Sequence, residues 1–344
     1  MVRVVCGKRD LQERRRPSRG GARRSHRARP CRDRLPVSLT AARSRKDERA
    51  GIRSPHARST CRDARRGRAS PRRPDRRERN GSLRPSLSVR AKKELGQHFL
   101  VDDNILGVIG RLAQLEEDDV VLEVGPGLGV LTTYLADRVA QVYAVELDPS
   151  LGPRLTERLA GRPNVELRFG DALALDLAEV APGVRKLVSN LPYNIATPLI
   201  AESLDRLPDL ELWTVMVQRE VADRLFAAPS TKAYGAVSVL VQLVAERTGF
   251  HPVSRNAFRP RPNVDSALVA FRRSGLPPDF RRIKRVVEAA FSHRRKRLAN
   301  SLELAGLTDR AHAEAAIALL GKQSNVRAEE LAPPEFLQLA EALE

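Results

Sequence analysis

The sequence predicts an α/β fold: a mostly parallel sheet with helices on both faces, Rossmann-like in its winding. Two observations carry this. Short apolar runs alternate with helix-like segments between residues 120 and 217, as in a sheet buried on both sides. The first run opens directly into a glycine loop, Gly125-Pro126-Gly127-Leu128-Gly129. Ligands of such sheets bind outside the carboxyl ends of the strands.

The elements follow in order. Val120-Val121-Leu122-Glu123-Val124 is apolar and ends at glycine, so it reads as a buried strand. Val130 to Arg138 is helix-like. Val142 to Val145 is a second strand, and Ser150 to Leu159 a second helix. Val165 to Phe169 is a third strand, closed by Gly170-Asp171. Lys186-Leu187-Val188 is the fourth and leads into Asn190-Leu191-Pro192-Tyr193. Leu212 to Val217 is the fifth. From about Leu276 the character changes. Phe280 to Leu302 reads as one or two basic helices, and the remainder to Glu344 as a small helical domain.

Charge divides the chain. The 344 residues carry a formal net charge of +19, yet 30 of the 61 Lys and Arg and only 8 of the 42 Asp and Glu lie in residues 1–90. The rest of the chain is slightly acidic. Residues 1–90 also hold all three cysteines, Cys6, Cys31 and Cys61, and none of the aromatics. Such a segment buries too little apolar surface to offset its ordering entropy and is expected to be disordered. It reads as residues upstream of the true start near Val89, as an arm for RNA phosphates, or as a transit segment, which its acidic residues disfavour. The expected organisation is 1–90 extension, 91–274 catalytic domain, 275–344 helical RNA-binding domain. The cysteine spacing fits no zinc pattern, and no metal is expected. No apolar run is long enough for a membrane helix. The body has no cysteine. Together these point to a cytoplasmic protein without a membrane partner.

The residues that carry chemistry stand at predicted strand ends. The glycine loop, with Gly125 and Gly127, lets backbone approach a ligand closely. Its G-x-G-x-G spacing differs from the dinucleotide fingerprint and suits a ligand without a pyrophosphate. Glu146 lies at the end of the second strand, where a carboxylate can accept ribose hydroxyls. Asp171 can accept from an adenine amino group or cap the segment that follows it. Together they describe a site for S-adenosylmethionine. Asn190, with a Leu191 or Pro192 carbonyl, can accept from an exocyclic amino group, and Tyr193 can stack on the base that carries it. Phe258 is a candidate second stacking ring, because Arg255, Arg259 and Arg261 around it suit an RNA-facing loop better than a core.

These residues resemble the KsgA-type family of rRNA adenine N6,N6-dimethyltransferases. The resemblance runs from Lys92-Lys93-Glu94-Leu95-Gly96-Gln97-His98-Phe99-Leu100 through Glu123–Gly129, Val145–Asp148, Gly170–Leu173 and Asn190–Ile200. It continues through Phe258–Leu268 to Ala290-Phe291, Arg294-Arg295-Lys296 and Asn300. It implies a class I S-adenosylmethionine-dependent methyltransferase domain with a helical C-terminal domain. It places cofactor contacts at His98, Leu100, Gly125, Glu146, Asp171 and Asn190, and the target-base clamp at Asn190 to Tyr193. The implied substrate is a pair of adjacent adenines in a hairpin loop near the 3′ end of small-subunit rRNA, met by a monomer on the assembling 30S subunit. A large-subunit dimethyltransferase of the macrolide-resistance type and a non-catalytic assembly factor are the competing readings. The family usually has Asn at position 98, and this chain has His98.

Overall fold

Strand ends that feed glycine or proline turns bring the candidate residues to one edge of a single sheet. The computed structural model describes residues 3–6, 92 and 96–344. The strands are β1 (Arg3–Cys6), β2 (Phe99–Leu100), β3 (Val120–Val124), β4 (Gln141–Glu146) and β5 (Val165–Phe169). Then come β6 (Lys186–Asn190), β7 (Leu212–Gln218), β8 (Ala245–Val253), β9 (Phe258–Arg259) and β10 (Ser266–Arg273). The helices are α1 (Asp103–Ala113), α2 (Val130–Ala136), α3 (Gly152–Arg158), α4 (Leu177–Val180), α5 (Ala196–Arg206) and α6 (Arg219–Leu225). They continue with α7 (Ala236–Val244), α8 (Phe280–Phe291), α9 (Leu298–Leu304), α10 (Arg310–Leu319) and α11 (Pro333–Ala342).

The main sheet runs β1-β5-β4-β3-β6-β7-β10-β8, and β2 and β9 form a separate antiparallel ribbon. The pairs from β1 to β7 are parallel, whereas β10 is antiparallel to both neighbours. The predicted mostly parallel α/β sheet is therefore what forms. Strand order reverses between β3 and β6. The two loops that leave these strands are the glycine loop and Asn190–Tyr193, so the crevice for a ligand opens between them.

The segment 1–90 needs one correction. Arg3–Cys6, expected to be disordered with the rest, pairs in parallel with β5. Its Val4-Val5 pair favours extended backbone, and β5 offers an open edge. Residues 7–90 lie outside the described residues, and so do the three readings of that segment.

One apolar core joins the C-terminal helices to the sheet. Val286, Leu302 and Phe336 belong to the same buried cluster as Leu187, Trp213 and Val241. Trp213 shows how the layers lock. Its indole donates to Ser203 Oγ at 2.8 Å, its ring stacks on Phe271 at 5.1 Å, and the Arg273 guanidinium lies 5.0 Å above it. Arg273 also donates to the carbonyls of Leu204, Leu207 and Leu210, closing the C-terminal end of α5. The sheet face under the site is thus held rigidly from behind. Among the described residues no helix is long and apolar enough to cross a membrane.

Candidate active site

Each strand end is tied to the next by a backbone hydrogen bond. Gly125 N–H donates to Val145 O, Gly170 N–H to Glu146 O, and Leu191 N–H to Met216 O, at 2.9 to 3.0 Å. Ser189 Oγ on β6 accepts from Val124 N–H at 2.8 Å. The turns after β3, β4, β5 and β6 therefore line one cavity of about 240 Å³, closed on a further side by Gly96–Leu100. His98, Leu100, Gly125, Gly127, Glu146, Asp171 and Asn190 to Tyr193 all border it.

The glycine loop is a cradle in which side chains do not fit. Gly125 and Gly127 have φ of +77° and +57°, a region that L side chains avoid. A Cβ on Gly127 would stand 2.9 Å from the Phe99 ring, and one on Gly125 would stand 3.0 Å from Pro192. Glu146, 5% exposed, braces this loop: its Oε2 accepts from Gly127 N–H at 3.0 Å and its Oε1 from Asp148 N–H at 2.9 Å. Burial raises its pKa, and the two amide donors work against that rise. Each carboxylate oxygen can accept twice, so hydroxyls can still be bound. Asp171 is exposed at the rim and caps its own turn, with Oδ1 accepting from Leu173 N–H at 2.9 Å. The cap and a ligand contact are compatible, because the second oxygen is not used by the turn.

Asn190 is oriented by a backbone group. Its Nδ2 donates to the His98 carbonyl at 3.1 Å. A carbonyl can only accept, so the amide nitrogen must face His98, and Oδ1 is left as the acceptor. Pro192 O already accepts from Ile195 N–H at 3.1 Å, while Leu191 O takes no hydrogen bond among the described residues. Of the two carbonyls considered from the sequence, Leu191 is thus the better placed. Tyr193 is half-buried and its hydroxyl meets Ser266 Oγ at 2.6 Å, which anchors the ring to β10.

Two expectations change. Phe258 is 0% exposed and packs with Leu100, Ile105, Met216 and Leu268. Its strand pairs Leu100 opposite Phe258, and this turns the ring inward. It does not border the cavity, and the exposed basic residues of that loop are Arg259 and Arg261. The second change concerns the basic residues of α8. Lys284 is buried and pairs with Glu202, Arg282 is half-buried and pairs with Glu344, and Arg281 pairs with Asp205 but stays exposed, as does Arg285. The exposed basic run is the turn His293–Arg297 between α8 and α9.

Sequence reasoning gave no role to the support beneath the site. Asp148, 2% exposed, accepts from Lys92 Nζ at 2.8 Å, Gln97 Nε2 at 3.1 Å and the Ser150 hydroxyl at 2.6 Å. Burial favours its neutral form, but these donors outweigh burial and hold the carboxyl at about 2. This network staples the segment before His98 to the loop after β4. The signal was present as a basic and an acidic residue in two separate motifs, but their pairing needs the fold.

Glu123 also gained no role from sequence. It is 1% exposed beneath the glycine loop. Its Oε2 and the neighbouring Thr132 Oγ1 have no hydrogen-bond partner among the described residues. Burial pushes its pKa up to about 8, and nearby Glu146 adds to the rise. The glycine cradle and the carboxylates of Glu146 and Asp171 suit a nucleoside ligand such as S-adenosylmethionine. In the unfolded chain Glu123 loses its proton near the ordinary carboxylate value, whereas in the folded chain it keeps it to about 8. Between these values the unfolded state binds fewer protons, so stability falls as pH rises. Thermal unfolding of the ligand-free protein from pH 5 to pH 8 is expected to show this fall. Glu123→Gln should flatten it, and an unchanged slope in that variant would remove the assignment.

The chain is similar over most of its length to known proteins. The family model "Ribosomal RNA adenine dimethylase" matches residues 88–344. The ribosomal RNA small subunit methyltransferase A of Rubrobacter xylanophilus is 47% identical over 261 residues, covering 75% of this chain and 98% of that protein. The protein of the same name from Thermobifida fusca is 42% identical, covering 75% and 92%. Among solved structures, a dimethyladenosine transferase from Plasmodium falciparum superposes with a TM-score of 0.58 at 25% identity, covering 70% of this chain and 96% of that one. The 23S rRNA methyltransferase ErmE gives a TM-score of 0.51 at 31% identity, covering 71% and 99%. With a family match over residues 88–344 and relatives up to 47% identical over three quarters of its length, the chain belongs to the ribosomal RNA adenine dimethylase family.

Proposed function

We propose that this S-adenosylmethionine-dependent rRNA adenine dimethyltransferase modifies N6 of two adjacent adenines in a hairpin loop near the 3′ end of small-subunit rRNA. It works as a cytoplasmic monomer on the assembling 30S subunit. The observation that carries the reading is the direction of the Asn190 amide, whose nitrogen is held by the His98 carbonyl. The small-subunit assignment is supported by the names of the curated relatives, which specify that subunit.

The chemistry follows from the residues. An adenine amino group is a weak nucleophile because its lone pair is delocalised into the ring. Asn190 Oδ1 and Leu191 O accept its two N–H hydrogens and favour a pyramidal nitrogen with an available lone pair. Tyr193 stacks on the extruded base and offsets part of the unstacking cost. The glycine loop, Glu146 and Asp171 would hold S-adenosylmethionine, which would supply an electrophilic methyl group: the C–S bond breaks to leave a neutral thioether as the N–C bond forms, and the displaced N–H proton would pass to solvent. The protein's contribution is then positioning and fixed dipoles. The exposed Arg259 and Arg261 and the turn His293–Arg297 offer cations to rRNA phosphates, contacts that position without reading sequence. The helices α8 to α11 form the docking part, and their slightly separated charge turn is their RNA-facing feature.

Isolated small and large ribosomal subunits lacking the modification, assayed side by side with mass mapping, should show dimethyladenosine in the small-subunit rRNA alone. Methylation of the large subunit instead would overturn the substrate assignment. Replacing Asn190 by Ala is expected to lower the methylation rate by about 100-fold, the scale of losing one aligned dipole. A wild-type rate in that variant would refute the clamp. The triple variant Arg295→Ala, Lys296→Ala, Arg297→Ala should weaken subunit binding and make it less salt-dependent, by up to about three in the log–log slope. An unaltered slope would take the turn out of the interface.

A further inference from the structure

The loop between β9 and β10 is tied to the surroundings of Tyr193 at both ends. Near its start the Pro260 carbonyl lies 2.8 Å from His98 Nδ1, and since a carbonyl only accepts, Nδ1 donates. The His98 ring in turn lies against Tyr193, with centroids 5.4 Å apart. At the end of the loop, Ser266 Oγ meets the Tyr193 hydroxyl at 2.6 Å. The residues between Pro260 and Ser266 are therefore carried beside the ring on which the target base would stack.

This loop holds its shape without using the Arg261 side chain. The Arg255 guanidinium donates to both Asp265 oxygens, at 3.0 and 3.4 Å, and to the Asn263 carbonyl at 3.0 Å. Pro260 and Pro262 flank Arg261. A proline fixes its own φ, and Pro262 also confines Arg261 to extended backbone. Pro262 is buried, whereas Arg261 is exposed.

The three arginines of this stretch are thus not equivalent. Arg255 is committed to Asp265 and Asn263. Arg259 turns back on its own turn and donates to the Phe258 carbonyl at 2.9 Å and the Asn256 carbonyl at 3.5 Å. Arg261 makes no hydrogen bond or ion pair among the described residues. Asp265 feels its charge, but both Asp265 oxygens are already taken by Arg255. Arg261 therefore presents an unused planar fork of donors, which matches two oxygens of a phosphate.

We propose that Arg261 grips a phosphate of the target nucleotide and so holds the extruded adenine in the site. The inference rests on the reading of Asn190–Tyr193 as the base clamp. An adenine stacked on Tyr193 brings its own sugar and phosphate to the side of the site where this loop stands. Leaving the hairpin costs the base its stacking, so the extruded form is the minor one among docked complexes. A phosphate held by Arg261 opposes the return of the base. The contact forms after the subunit has docked, unlike those of the turn His293–Arg297, which act on docking itself. Its loss therefore lowers turnover at saturating subunit and leaves subunit affinity nearly unchanged.

Steady-state methylation of unmodified small subunits would be measured for wild type, Arg261→Met, Arg261→Lys and Arg259→Met. Subunit affinity would be measured by filter binding in the same buffer, and folding by thermal melts. Arg261 is exposed and unpaired, so its variants should melt with wild type. Arg261→Met, which keeps the stem and loses the charge, is expected to lower kcat about tenfold, the scale of one hydrogen bond to a charged group. Arg261→Lys, which keeps the charge, should recover most of the rate. Arg259→Met should stay within about threefold of wild type, as for an ordinary surface substitution. A wild-type kcat in Arg261→Met, a loss lying wholly in subunit affinity, or an equal loss in Arg259→Met would overturn the proposal. Failure of the clamp reading would show elsewhere: Asn190→Ala would then methylate at the wild-type rate.

Discussion

The hydrogen bond from Asn190 Nδ2 to the His98 carbonyl is the constraint on which the site depends. An amide has a donor end and an acceptor end, and binding one end to a carbonyl fixes what the other can do. The bond also crosses the structure. It joins the end of β6 to the segment that precedes β2, which no sheet hydrogen bond reaches. That segment is in turn fastened by Lys92 and Gln97 to Asp148 after β4. Three distant stretches of chain are thus held in register around one cavity.

The energetic logic places cost and support in different layers. The site keeps features that do not favour folding: positive φ at Gly125 and Gly127, and a buried Glu123 with an orphaned oxygen. Such features persist where surrounding structure over-determines them. Here that structure is the parallel sheet, buried on both faces, with Trp213, Phe271 and Arg273 locking the layer behind it. Glu146 belongs to both layers, since it braces the glycine loop with its two oxygens and still faces the cavity.

Much of this was legible in sequence because it is local. The five strands between Val120 and Val217 follow from apolar runs ended by glycine or proline, and the cofactor-side residues stand at their ends. The antiparallel β8 and β10 were not assigned, since their pairing joins residues set by a long connection and not by a repeating pattern. Phe258 misled for a related reason. Its neighbours in sequence are arginines, but its environment is set by pairing with Leu100, more than 150 residues away. Likewise Phe280 to Leu302 read as basic helix, but Lys284 within it is buried against Glu202 on α5. Arg3–Cys6 shows the converse error, where composition over ninety residues hid a four-residue strand.

In the proposed reading the target nitrogen is held between Asn190 Oδ1 and Leu191 O, with the base stacked on Tyr193. A crystal structure with a non-reactive cofactor analogue and adenosine tests it most directly. The expected result is N6 within hydrogen-bond distance of both oxygens, with the Asn190 nitrogen still on the His98 carbonyl and the adenine ring stacked on Tyr193. An adenine bound with N6 remote from Asn190, or an Asn190 amide turned to present its nitrogen to the base, would contradict it.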